Sequence, residues 1–274
     1  KKKNDIILNR NNKRKRAKNN EIGNDEWNSI KNGNQEQSWS VVEKDNNIDK
    51  IIALLNKLTN TNYDNSVLKM KEIIGKIIEE QNGEEINKIS NVIFDIASTN
   101  IFYSQLYAKL YAELICSYDT IKITLDSNFN NFINLFSNIE HCDPNKDYNK
   151  FCELNKNNEK RKSLSTFFVN LMDAHVISME KIKNILQLLL FTMNTFIVEE
   201  NKKGEVDELI ENIVIFCKKD LLIECKNEHH NELNGMSIIE FIDYISHNKT
   251  SNFKSLTNKT IFKCMDIMEN INTI

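Results

Sequence analysis

From residue 48 onward, Ile48, Ile51, Ile52, Leu55 and Leu58 fall at offsets 0, 3, 4, 7 and 10, one face of a 3.6-residue helix. The pattern recurs. Val67, Met70, Ile74 and Ile77 form a second stripe, and Ile86, Ile89, Ile93 and Ile96 form a third. A fourth helix over 101–117 carries Leu106, Leu110 and Leu114, with Tyr103, Tyr107 and Tyr111 on an adjacent side. Phe129, Phe132, Ile133 and Phe136 mark a fifth near 126–140, before a polar insertion that holds Pro144 and runs to "NKNNEKRK". Further helices are expected near 162–175, 179–199, 205–223, 236–247 and 258–272. The clearest is the stripe Ile182, Ile185, Leu186, Leu189, Met193 and Phe196. Strand alternation and hairpin dipeptides offer no competing reading, so the expected class is all-α.

Ten helices joined by short polar loops pair into five antiparallel hairpins of roughly 40 residues, the spacing of a HEAT-type α-solenoid. A globular ten-helix bundle fits the same spacing. Residues 1–45 lack periodicity and are rich in Asn, Lys, Glu and Ser, which predicts a disordered basic arm ahead of a helical domain over 46–274.

Composition supports helices. One proline and six glycines in 274 residues are too few for an all-β or Gly-rich nucleotide-binding fold. The 43 asparagines and 37 isoleucines suggest an AT-rich genome, such as that of a protist or a giant virus. The net charge of −3 is unevenly placed: residues 1–18 hold nine Lys or Arg against one acid, leaving −11 on the rest. Such an arm suits phosphate or RNA contact through Lys13, Arg14, Lys15 and Arg16, and equally a solubilising tail. Trp27 and Trp39 interrupt it and are candidate docking anchors.

No catalytic constellation emerges. Gly-rich phosphate loops, GxSxG, HExxH and EF-hand loops are missing from the sequence. His229 and His230 with Cys217 and Cys225 lack zinc-site spacing, and His141 beside Cys142 has nothing to orient it. The pairs Glu79-Glu80 and Glu199-Glu200 fall at helix ends and are expected in solvent. Neither an enzyme nor a cofactor is expected. Among six cysteines without CxxC spacing, Cys116, Cys217 and Cys264 fall on apolar faces and are expected as buried thiols. No signal peptide is visible and "ILQLLLFTMNTFIV" is too short to span a bilayer, so a reducing cytoplasm is expected, host cytoplasm if the source is viral.

Four stretches share a family likeness. "IIALLNKLTNTNYD" resembles the first helix and loop of the middle domain of eukaryotic translation initiation factor 4G, with Tyr63 about where that family places an aromatic. "ISNVIFDIASTNIFYSQLYAKLYAEL" is similar to its next two helices through Ile93, Phe94, Asp95, Ala97, Tyr107, Ala108 and Leu114. "KRKSLSTFFVNLMDAHVIS" resembles its basic triplet and apolar helix, and "IFKCMDIMENI" its last helix through Phe262, Asp266 and Ile267. Ser165 stands in place of the family's glycine, and Ile261 in place of an arginine.

The resemblance implies a non-catalytic HEAT-repeat scaffold that clamps a DEAD-box helicase of the initiation factor 4A type and acts on mRNA. It places the upstream anchor at Trp27 or Trp39, the first contact at Asn56, Lys57 and Thr59, and the second at Phe262 and Asp266. Leu55, Leu58 and Phe262 lie on apolar stripes, and core placement is the ordinary expectation for them. In that family an upstream segment binds the cap-binding subunit, initiation factor 4E. "KKKNDIILNR" offers Ile6, Ile7 and Arg10 for this contact, with Lys1 where a tyrosine belongs. Relatives in mRNA decay, splicing and nuclear cap binding, and a helical adaptor without an RNA role, remain open alternatives.

Overall fold

In a computed structural model, which describes residues 46–137 and 139–272, the described residues are mostly helical. Eleven α-helices occur among the described residues: α1 (Asn47–Asn56), α2 (Tyr63–Glu79), α3 (Gly83–Thr99), α4 (Ser104–Ile115), α5 (Asp119–Asn134), α6 (Tyr148–Asp173), α7 (Met179–Val198), α8 (Lys203–Phe216), α9 (Lys219–Glu224), α10 (Ile238–Ser246) and α11 (Asn258–Asn272). Capping side chains start several of them. Asn46 accepts from Ile48 N, Asn82 from Glu85 N, Asp147 from Lys150 N and Ser178 from Lys181 N. Ser237 and Glu240 cap α10 reciprocally as a capping box.

The helical stripes read from the sequence face the core: Ile51, Leu55, Met70, Ile74, Ile89, Ile93, Leu110, Leu114, Phe132, Ile182, Leu186 and Met193 are all buried. Helices two apart in the chain pack on one another, α1 on α3 and α3 on α5, then α4 on α6 and α6 on α8; α8 packs in addition on α11. Neighbours α7 and α8, and α10 and α11, also pack closely.

The helix linking these layers is α6. Phe167 and Phe168 are both fully buried. Phe167 meets Phe94 of α3 (centroids 6.0 Å) and Tyr111 of α4 (5.5 Å) edge-on. Phe168 meets Phe129 (4.9 Å, edge-on) and Phe132 (4.8 Å) of α5, and Phe132 in turn lies 6.4 Å from Phe216 of α8. Each such aromatic pair adds about 0.5–1.5 kcal/mol beyond the area it buries. Polar groups on α6 are tied to the same neighbours. Ser163 Oγ donates to Ser98 O (2.6 Å), Asn170 Nδ2 to Ser104 Oγ (2.8 Å) and Ser165 Oγ to Asn212 Oδ1 (3.0 Å). Ser165 therefore joins α6 to α8.

Several sequence expectations need correction. The later part of the polar stretch, through "NKNNEKRK", is no loop; from Tyr148 it forms the first half of α6, and only 139–147, with Pro144, stays non-helical. Asp147 nucleates this helix, and no Gly or Pro interrupts residues 148–173, so it runs on through solvent without an apolar face. The fifth helix spans 119–134 rather than 126–140. The eighth predicted helix breaks at Cys217–Lys218, where Lys218 is extended. In one continuous helix Leu222 would lie about 220° around from Leu209 and face solvent. The break lets Leu221 and Leu222 both turn into the core.

A hairpin pairs His229–His230 (β1) with Met236–Ser237 (β2), in register His229↔Ser237 and His230↔Met236. Its turn carries Asn234 at φ 58° and Gly235 at φ 79°, the Asn-Gly dipeptide that the helical reading passed over. Cys116 is exposed, because two residues past Leu114 it points about 200° away from the buried stripe. Cys225 and Cys264 are buried, and Cys217, half-exposed as a residue, holds its thiol inside.

Two outcomes are expected. Phe168→Ala should lower unfolding free energy by about 3–5 kcal/mol in urea titration, the cost of a large aromatic cavity. In native protein an aromatic disulfide reagent should modify Cys116 and Cys152 rapidly. Cys225 and Cys264, whose thiols burial pushes up to about 11 and about 12, should react only on denaturation.

Candidate protein-interaction surfaces

The first candidate surface is the turn between α1 and α2. Helix α1 stops at Asn56, earlier than its apolar period implies, because the chain tightens there: Leu58 N donates to Leu55 O (3.0 Å). Asn62 then holds the turn from both sides, accepting from Thr59 N (2.8 Å) and donating to Lys57 O (2.7 Å). The outcome is alternation. Leu55 and Leu58 are buried, Asn56 and Lys57 are exposed, and Thr59 is half-buried with its hydroxyl 2.9 Å from that of Thr61.

A second layer anchors this turn. Tyr107 of α4 donates to Leu55 O (3.1 Å), so the end of α1 is tied to the start of α4. Tyr63 is buried, donates to Glu113 Oε1 (2.9 Å) and lies under Lys109 Nζ, 3.9 Å from the ring centroid. Lys71 Nζ reaches the other oxygen of Glu113 at 3.5 Å. Burial foremost, then the Glu113 hydrogen bond and charge, hold the Tyr63 phenol far above its ordinary range.

The second candidate surface is on α11. Thr260, Ile261, Cys264 and Ile267 form its buried face. Phe262 is not among them; one position off that stripe it is 61% exposed, which corrects the expectation of a core residue. With Met265, also exposed, and exposed Asp266, it forms an i, i+3, i+4 stripe facing solvent. Lys259 one turn earlier pairs with Glu211 of α8 (3.0 Å), and Thr257 and Thr260 both donate to Asp207. The helix start is thereby held against α8.

A third apolar surface was missed in the sequence. The turn between α3 and α4 exposes Ile101, Phe102 and Tyr103 in succession, with Phe102 98% exposed. Asn100 Oδ1 accepts from Tyr103 N (3.2 Å), which shapes this turn. Three consecutive large apolar residues between two helices were the available signal.

The four stretches of family likeness lie on the α1–α2 turn, on α3 and α4, on α6 and on α11. The basic triplet of the third stretch is partly internal. Arg161 is 4% exposed and donates to Leu135 O (3.3 Å) and Asn158 Oδ1; burial lowers its guanidinium below the ordinary range, against the opposing charge of Glu208 on α8. Trp27, Trp39, Ile6, Ile7, Arg10, Lys13, Arg14, Lys15 and Arg16 lie outside the described residues.

Elsewhere, the His230 ring lies tilted against Phe191 (5.4 Å) with its Nε2 buried and without a hydrogen-bond partner among the described residues, and His229 Nε2 lies 3.4 Å from Glu240 Oε2. The Cys142 thiol points at the carbonyls of Asp143 and Asp147 (3.6 Å each), and the His141 ring lies against Gly204. Glu79, Glu80, Glu199 and Glu200 are exposed. Among the described residues no three His, Cys, Asp or Glu side chains come together as a metal site, and no helix is long and apolar enough to cross a membrane. No protein-family model matches the chain, and no curated protein matches it.

The buried phenols give a pH test. Tyr63, Tyr107, Tyr111 and Tyr118 are all raised by burial, so above about pH 10 the unfolded chain releases phenol protons that the folded chain keeps. Stability is full below that pH and should decline as pH rises beyond it. Urea titrations between pH 8.5 and 11 should show this decline, and a shallower one for Tyr63→Phe.

Proposed function

We propose that the chain is a non-catalytic translation-initiation scaffold whose helical domain binds and stimulates a DEAD-box helicase of the initiation factor 4A type. In this reading five helix pairs (α1/α2, α3/α4, α5/α6, α7/α8 and α10/α11) stack as a HEAT-type solenoid, with α9 and the short hairpin as an insertion. The packing of α1 on α3, α3 on α5, α4 on α6 and α6 on α8 supports that arrangement.

The observation that carries the proposal is a pair of exposed surfaces far apart in the helix order, at positions to which the family likeness assigns helicase contacts. One is Asn56 and Lys57, with half-buried Thr59 beside them, on the α1–α2 turn; the other is Phe262 and Asp266 on α11. A rigid body with two separated contacts binds one arrangement of a two-lobed partner better than others and so shifts its population. Trp27 or Trp39 would supply the upstream anchor. Lys13, Arg14, Lys15 and Arg16 would contact mRNA, and Ile6, Ile7 and Arg10 a cap-binding subunit of the initiation factor 4E type. The setting would be the cytoplasm.

The test is a pull-down of purified initiation-factor-4A-type helicase, with RNA-stimulated ATPase as the second readout. Wild type should bind and accelerate ATP turnover. Phe262→Ala and Lys57→Glu should each weaken binding about tenfold, and one of Trp27→Ala and Trp39→Ala should do the same. An absence of both binding and stimulation would overturn the proposal and leave a protein-interaction scaffold without the helicase.

A further inference from the structure

The outer side of the first helix pair carries a groove of about 480 Å³. From α1 it receives Lys50, Ala53, Leu54 and Lys57, at i, i+3, i+4 and i+7 along one stripe. From α2 it receives Lys69, Glu72 and Ile73, again at i, i+3 and i+4. Ala53, Leu54 and Ile73 make an apolar floor and the lysines stand along its rims. Among the described residues Lys57 and Lys69 have no ion-pair partner, so the rim carries uncompensated positive charge that Glu72 offsets only in part.

Two packed helices present ridges whose shared groove accepts a third helix lying along them. Its apolar side would meet Ala53, Leu54 and Ile73, and its flanks would need carboxylates opposite Lys57 and Lys69. We propose that this groove docks an acidic amphipathic helix of a partner protein, one with leucine-like residues at i, i+3, i+4 and i+7 flanked by Asp or Glu. Charge complementarity selects this occupant over a basic helix, which would face like charge on both rims, and over a second copy, whose own groove repeats the lysines. The inference shares Lys57 with the helicase reading, and its test is therefore made at Ala53 and Lys69, which with Ile73 are not among the residues proposed to touch the helicase.

The experiment uses the full chain and a fluorescein-labelled synthetic 16-residue helix with that leucine stripe and Glu elsewhere, followed by anisotropy. A comparator has Lys at every Glu position. Lys69→Glu and Ala53→Glu test the groove, since both positions are exposed, and Ile123→Glu on the exposed side of α5 is the control. Thermal melts followed by circular dichroism verify that each variant folds.

The acidic peptide should bind wild type and the control alike. It should lose about tenfold in affinity with either groove variant and weaken as salt rises to about 0.15 M. The basic comparator should not bind. Equal binding of both peptides, or undiminished binding by the groove variants, would overturn the proposal. So would no binding of the acidic peptide, or self-association in sedimentation that Lys69→Glu abolishes, the latter making a second copy the occupant. Helicase stimulation should survive in both groove variants. Its loss together with peptide binding would assign the groove to the helicase and overturn the separate partner.

Discussion

Two adjacent phenylalanines on α6 impose the arrangement of the helices around them. Successive residues on a helix point about 100° apart, so Phe167 and Phe168 cannot share one narrow stripe. Burying both requires neighbours over a wide arc: Phe94 of α3 meets both rings, Tyr111 of α4 meets Phe167, and Phe129 and Phe132 of α5 meet Phe168. Phe132 passes the contact on to Phe216 of α8. Ten residues beginning at Ser163 are nearly all buried, as in a helix wrapped on every side. The first half of the same helix has no such neighbours and stays solvated.

A helix wrapped in this way must satisfy its polar groups internally, since each buried unpaired donor or acceptor costs about 1–3 kcal/mol. Ser163, Ser165 and Asn170 meet this requirement with bonds to α3, to α8 and to the start of α4. The bonds add direction to packing that is otherwise non-directional. Apolar contact sets how closely α6 approaches its neighbours, and the serines and asparagine set its register along them. The Tyr111 hydroxyl, Arg161 Nε and Glu208 Oε1, buried without a hydrogen-bond partner among the described residues, are exceptions in this region.

The candidate surfaces depend on that interior. The α1–α2 turn exposes Asn56 and Lys57 because Asn62, Tyr63 and Tyr107 fix it from beneath. Phe262 faces outward because Thr260, Ile261, Cys264 and Ile267 take the buried face of α11, which α8 holds through the Asp207 hydrogen bonds. Partner contacts placed on such supports need little ordering on binding, which lowers the entropic cost of association. The lysine-rimmed groove shares this property, being formed by the facing sides of two packed helices.

The amino-acid sequence alone determined the all-α class, the first helix stripes and most of the core, because an apolar residue recurring every three or four positions must face one way whatever surrounds it. It also placed Asn56 and Lys57 in solvent, being polar residues off an apolar stripe. Phe262 was beyond its reach: an apolar residue beside the buried stripe can go either way, and only the position of α8 decided that it faces out. The break at Cys217–Lys218 and the solvated start of α6 were tertiary decisions of the same kind. One came from where Leu221 and Leu222 could be buried, the other from where the neighbouring helices end. The Asn234–Gly235 hairpin was legible in its dipeptide, and the lysine groove was not. Its residues come from two helices, and only their packing brings Lys57 and Lys69 to one rimmed surface.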